Sequence, residues 1–282
     1  MSGRRELLRH IGRLTEIGDL LGAMRSLALA ESRRIAGFID AQRETSAIVR
    51  AAYGRLLRDH GERLELPAPA GRVVCVIGSE RGFCGDLNQR LIGSAQALIA
   101  PHDVASAIAT DTPAPRVVLV GSRLADAWSG DAAAAMAGAG FADEVQNILA
   151  DLVATLTPLM LGNPALSLLY LTDAGPVHQN LLPAPQPRVR ATRRSHPLQI
   201  NLPPRQLHAA LIDQFLESAL GCALYDALLH ENQLRLEHME QARQRIDEQL
   251  EDLARRSNRA RQEEITEEIE IILLSSIAAE SA

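Results

Sequence analysis

RVVCVIGSERGFCGDLNQRL, residues 72–91, sets a short apolar run before a glycine-rich turn and a helical pattern after it. A buried apolar strand feeding a helix is the repeating unit of a parallel α/β sheet covered on both faces. A glycine turn at that junction raises the question of a nucleotide, because backbone N–H groups at a helix N-terminus attract phosphate. The spacing here is G-x-x-x-G-x-x-G, through Gly78, Gly82 and Gly85. Dinucleotide sites use G-x-G-x-x-G and P-loops use G-x-x-x-x-G-K-[ST]. Glu80 and Asp86 flank the turn and would repel phosphate. The stretch therefore reads as a structural corner in which Gly82 and Gly85 shape the turn. Asp86 is favourably placed near the start of the helix that follows.

The pattern recurs downstream. RVVLVG (116–121) and LSLLYLTD (166–173) read as further buried strands. Helical stretches are expected at 86–100, 122–137 and 142–160. Residues 176–204, with LLPAPQP and RVRATRR, read as a loop leading to the last helix. Together these define a central parallel-sheet, Rossmann-like α/β domain at 67–200.

The prolines divide the chain. All 14 lie between Pro67 and Pro204, and glycine after that point is limited to Gly221. A proline inside a helix costs about 3 kcal/mol or more, so two long proline-free arms flank a punctuated middle. The N-terminal arm, residues 1–62, carries Leu7, Ile11, Leu14, Ile17, Leu20 or Leu21, Met24, Leu27 and Ala28 at helical spacing. The C-terminal arm, residues 204–282, opens on a proline, which suits a first helical turn. Its broad apolar face narrows to a coiled-coil stripe of Met239, Ile246, Leu250, Leu253 and Ala260, with Arg243 and Ser257 as interruptions. A helix from 205 to 278 would run roughly 110 Å, so it needs the other arm or a partner to cover it. Residues 1–60 hold 11 Arg and 7 acids, and residues 205–282 hold 8 Arg and 16 acids. Helices of opposite charge favour pairing, although exposed pairs contribute only ~0–1 kcal/mol each. The expected architecture is a long antiparallel coiled coil of the two arms flanking the α/β domain.

Composition excludes several chemistries. All 29 basic residues are arginine, which rules out Schiff-base lysine catalysis and a Walker A lysine. Cys75, Cys84 and Cys222 are widely separated and read as buried or idle thiols. No zincin motif, nucleophile elbow or metal-ligand spacing occurs, so no catalytic residue, metal or cofactor is implied. The net charge of −6 and the lack of aromatics around RVRATRR argue against nucleic acid. The opening residues lack the apolar core of a signal peptide, and no apolar stretch reaches the ~18 residues of a spanning helix.

The C-terminal segment IEIILLSSIAA is the most apolar part of its helix. Ile269, Ile271, Ile272, Leu273, Leu274 and Ile277 cover much of its circumference, and such a helix requires a socket. The preceding Glu263, Glu264, Glu267, Glu268 and Glu270 would be repelled by anionic lipid. A protein collar fits better, with helix–helix self-association as the other reading.

SERGFCGDLNQRL resembles the S-D-R-G-L-C-G-G-L-N segment of the γ subunits of F-type ATP synthases. NRARQEEITEEIEIILLSSIAA is similar to that family's N-K-A-R-Q-x-x-I-T-x-E-L-x-E-I ending, and HQNLLPAP to its Q-L-L-P-L-P loop. The N-terminal arm can be laid over the family's first helix without a gap. The resemblance implies a central rotor shaft that couples proton or sodium movement to ATP synthesis or hydrolysis. It implies α and β subunits of the catalytic hexamer, the ε subunit and the c-ring as partners, with no nucleic acid and no small-molecule substrate. Catalysis would belong to the β subunits, and the location would be the cytoplasmic face of a bacterial inner membrane. On this resemblance Met24, Arg261 and Gln262 contact a β subunit, and Ile269, Ile272, Leu273 and Ile277 bear on the collar. Ordinary seam packing for Met24 and a solvated helix face for Arg261 are the alternatives.

Departures mark a divergent member. The family's T-Q-K-I-T-K-A-M becomes residues 17–24, IGDLLGAM, with Asp19 and Gly22 in place of two lysines, and Asp86 stands where the family has a second glycine. The competing reading is a stand-alone coiled-coil scaffold carrying a small α/β domain.

Overall fold

The computed structural model describes residues 2–61, 64, 68–100, 114–184 and 199–280, with side chains from residue 4 to residue 273. In chain order the elements are α1 (Ser2–His60), β1 (Arg72–Ile77), α2 (Leu87–Ile99), β2 (Arg116–Val120), α3 (Ser122–Ala127) and β3 (Ala134–Met136). A 3-10 turn (Ala142–Glu144) leads into α4 (Val145–Leu159), followed by β4 (Ala165–Thr172), β5 (Gly175–Leu182) and α5 (Pro204–Glu280). The chain forms two compact units, one of residues 30–235 and one of residues 1–29 with 236–282.

In the larger unit five strands form one sheet in the order β3-β2-β1-β4-β5. β1 pairs in parallel with β2 and β4, and β2 in parallel with β3. β5 runs antiparallel to β4. Strand alternation sends side chains to both faces. Val73, Cys75 and Ile77 join Val118, Val120, Leu166 and Leu168 against α4 and against Ile35, Ile39, Phe215 and Ala219 of the long helices. Val74, Val76, Leu119 and Leu169 pack on Leu87 and Leu91 of α2 and Leu124 of α3. Both faces are therefore covered, which is why the strands read as continuous apolar runs.

The sheet departs from the sequence expectation in two places. The stretch 122–137 is not one helix: α3 ends at Ala127, and β3 takes up residues 134–136. Three short residues from an alanine-rich segment complete the edge by pairing Ala134, Ala135 and Met136 with Val118, Leu119 and Val120. The expected loop from 176 begins instead as β5, so the sheet is mostly rather than wholly parallel. Residues 185–198, including RVRATRR, lie outside the described residues.

Within this unit the long helices pair antiparallel. Arg43 bonds Asp226 at 2.8 Å, Phe38 stacks on Tyr225, and Tyr53 stacks on Phe215 and meets His208. The smaller unit shows the same sense of pairing. Arg25 meets Glu240 at 2.6 Å, and Arg4 meets Glu264 at 3.4 Å. Its seam buries Leu21, Ala28, Met239 and Ser257. Ser257 thus belongs to the seam rather than interrupting it.

Candidate functional site: the glycine turn and the rim of the sheet

The strand order reverses at β1, and the turn leaving β1 opens at this switch point. In open α/β sheets ligands bind there, outside the carboxyl ends of the strands. Here the chain's own side chains occupy the position.

The turn is built locally first. Ser79 is buried, and its N–H donates to Asn88 Oδ1 at 3.1 Å. Asn88 Nδ2 donates in return to Ser79 Oγ at 2.8 Å. Phe83 and Gly85 both take left-handed backbone, at φ 64° and 57°. Glycine tolerates that region freely, whereas a phenylalanine there is uncommon. Asp86 sits at the start of α2 and makes no side-chain capping bond. A Cβ on Gly82 would meet nothing within 4 Å. The Gly82 carbonyl accepts from Arg235 Nε at 3.4 Å and from Cys84 Sγ at 3.3 Å.

Glu80 turns inward across the rim. Its Oε2 accepts from Ser122 N at 2.9 Å and Gly138 N at 2.7 Å, and Ser122 Oγ donates to its Oε1 at 2.9 Å. Backbone donors that could cradle a phosphate oxygen are thereby satisfied by an internal carboxylate. Glu144 does the same for Gly140 N and Phe141 N at 2.7 and 3.2 Å. The Arg81 guanidinium lies 3.9 Å above the Phe141 ring, linking the glycine turn to the β3–α4 loop.

Both long helices reach this rim. Glu231 of α5 accepts from Glu80 N at 3.2 Å and Arg81 N at 3.1 Å. It is also paired with Arg235, whose Nη1 donates to Asn232 Oδ1 at 2.6 Å. Glu231, Asn232 and Arg235 are all buried. Burial pushes the Glu231 carboxyl above its ordinary range, opposed by Arg235 and the two backbone donors. Glu31 of α1, also buried, accepts from Ala142 N at 2.5 Å. One turn further along, Arg34 pairs with Asp143 at 2.7 Å. Burial, reinforced by the Glu231 charge, raises the Cys84 thiol to about 12.

The residues named from the sequence fall in two places. Gly82 and Gly85 lie in the turn just described. Met24 is half-buried in the smaller unit, and Arg261 and Gln262 are exposed on α5. Thr266 Oγ1 donates to the Gln262 carbonyl at 2.9 Å. Ile269, Ile272 and Leu273 are exposed, and the Ile277 side chain lies outside the described ones. The rim carboxylates Glu31, Glu80 and Glu231 were not legible beforehand as contacts. Their partners stand far away in sequence; Glu31 and Glu231 on the long helices read as solvated charges, and Glu80 in the turn only as a charge that repels phosphate.

A mostly parallel α/β sheet, its rim closed from within and gripped by two antiparallel helices, defines an α/β domain inserted between two long helices. A family model described as ATP synthase matches residues 3–278. The chain belongs to that family, the γ subunits of F-type ATP synthases, and its role is that of the rotor shaft. Solved structures share the fold. The rotor of the Euglena gracilis mitochondrial ATP synthase in rotational state 1 aligns with a TM-score of 0.62 at 15% identity, covering 94% of this chain and 99% of that one. The central stalk and c-ring structure of the Tetrahymena thermophila mitochondrial enzyme aligns at 0.56 and 13% identity, covering 79% and 99%. A further Euglena gracilis structure, of OSCP, F1 and c-ring in rotational state 3, aligns at 0.51 and 16%, covering 91% and 95%. The family places the chain in a membrane-associated assembly, and no described helix is long and apolar enough to cross a membrane.

Proposed function

We propose that this chain is the non-catalytic shaft that couples proton or sodium movement to ATP synthesis or hydrolysis at β subunits. Its immediate partners would be an α–β hexamer, an ε subunit and a c-ring, at the cytoplasmic face of a bacterial inner membrane. The working division is a coiled-coil arm at 1–62, a foot domain at 67–200 and a second arm at 204–282. Met24, Arg261 and Gln262 would meet a β subunit, and Ile269, Ile272, Leu273 and Ile277 would bear on the collar.

The observation that carries this reading is the end of α5. Ile265, Ile269, Ile271, Ile272 and Leu273 are 46 to 66% exposed on consecutive turns. Apolar surface of that extent marks an interaction site. The exposed Arg261 guanidinium just before it suits a planar contact to carboxylate or carbonyl oxygens.

Co-expression with α and β subunits, followed by native mass measurement and an ATPase assay, tests the reading. Three α, three β and one copy of this chain, active only when it is present, is the expected result. A homodimer that leaves the ATPase unchanged would instead make the chain a scaffold.

A further inference from the structure

The rim contacts form a closed circuit. α1 grips the segment 142–143 with an acid and a base one turn apart: Glu31 on the Ala142 N–H and Arg34 on the Asp143 carboxylate. α5 grips the segment 80–84 in the same way. Glu231 holds the Glu80 and Arg81 N–H groups, and Arg235 holds the Gly82 carbonyl and the Cys84 sulfur. The two gripped segments are joined to each other by Arg81 stacked on Phe141. They are joined again by Glu80, which bridges to Gly138 N from the turn itself. Every contact lies within the unit of residues 30–235.

The hydrophobic driving force is non-directional, so the resistance of packed helices to sliding comes only from the interdigitation of their side chains. Charge-assisted hydrogen bonds to backbone N–H groups are directional and strong. A helix that is also held by a carboxylate on two successive N–H groups cannot rotate or shift on the sheet without breaking both bonds. The rim that other α/β sheets use for ligands has the donors for this, aimed outward at the switch point.

We propose that this clasp, with Glu31 and Glu231 as its positioning residues, carries torque between the α/β domain and the two long helices. The inference rests on the rotor reading. It assigns a measurable share of the joint's stiffness to the buried Glu31, Glu231 and Arg235, beside that of the apolar face of the sheet. The clasp is a mechanical coupling built from a converted ligand rim.

The test uses the full chain assembled with α and β subunits, the ring immobilised and a bead on a cysteine introduced at the exposed Leu161. Angular fluctuations of the bead give torsional stiffness. ATP-driven ion pumping per ATP hydrolysed, in the membrane-reconstituted complex, gives coupling. Glu31→Gln with Glu231→Gln is expected to lower stiffness and coupling by at least half while ring ATPase activity persists. Each single variant is expected to speed amide exchange, at Ala142 or at Arg81, on the order of tenfold through local opening. Those single variants keep the test open if the double variant fails to fold. Unaltered stiffness in a complex that otherwise couples would overturn the clasp alone, as would unaltered exchange at both amides. A wild-type chain that leaves the α–β ring inactive would overturn the rotor reading, and the clasp's role with it.

Discussion

Gly18 of α1 faces Ile246 of α5 across the coiled-coil seam, and a Cβ built on it would lie 3.6 Å from Ile246 Cγ2. That is ordinary van der Waals contact, so the glycine is not needed for clearance. Glycine in a helix interior costs ~1 kcal/mol relative to alanine. Gly18→Ala is therefore expected to stabilise the chain by about 0.5–1 kcal/mol. A thermal melt reads this directly, and a lower midpoint would mean that the helices leave no room for the methyl group.

Gly121 is the opposite case. Its φ is +117°, and a Cβ would lie 2.8 Å from the carbonyl oxygens of both Gly78 and Ser79. Those are backbone atoms of the turn that anchors Glu80 and cannot retreat without opening the rim. Gly121→Ala should cost more than about 2 kcal/mol, by strain and by displacement of the turn. A denaturant titration with an unchanged midpoint would refute this.

The thiols give a chemical test of burial. Cys75 is fully buried and Cys84 nearly so, and burial is the chief cause that raises each thiol to about 12. Burial thus disfavours the thiolate of each, and the thiolate is the reactive form. Iodoacetamide should leave both unmodified in the native protein and label all three cysteines in denaturant. Rapid native labelling of Cys84, read by mass spectrometry, would mean that the Glu231–Arg235 lock opens readily.

The long helices and the three central strands were legible because their determinants are local. Proline is absent from both arms, and the buried strands are continuous runs of Val and Leu. The seam was only partly legible. Of the expected stripe, Leu7, Ile11, Leu14, Leu21, Met24 and Ala28 are buried or half-buried, whereas Ile17, Leu20 and Leu27 are 47, 60 and 54% exposed and Gly18 takes a place on the seam. Gly18 carries no side chain and so adds nothing to the apolar pattern on its side of the helix. β5 was missed because GPVHQNLL alternates between the two faces of an edge strand and opens with Gly-Pro. Its tie to β4 is a turn in which Gly175 takes φ +113°. The exposed end of α5 was legible as a patch, but the rim circuit was not. Glu31 meets Ala142 across 111 residues, a pairing that no periodicity encodes.

On the rotor reading, Arg261→Ala should weaken coupling more than it weakens assembly. Deletion of residues 269–282 should loosen the hold of the α–β ring on the shaft. Coupled turnover measured beside native mass separates the two. Loss of the complex with normal turnover in what remains would assign Arg261 to assembly. A truncated chain held as tightly as the full one would remove the tail from the bearing.

Glu80, lodged against Ser122 and Gly138, has a consequence for how the molecule answers its surroundings. A ligand that binds the native state stabilises it by mass action, and an anion at this rim would need backbone donors left open. With an internal carboxylate already seated on those donors, this rim offers an anion no open backbone donor at Ser122 or Gly138. Closure of this rim is set by the sequence itself rather than by a bound anion.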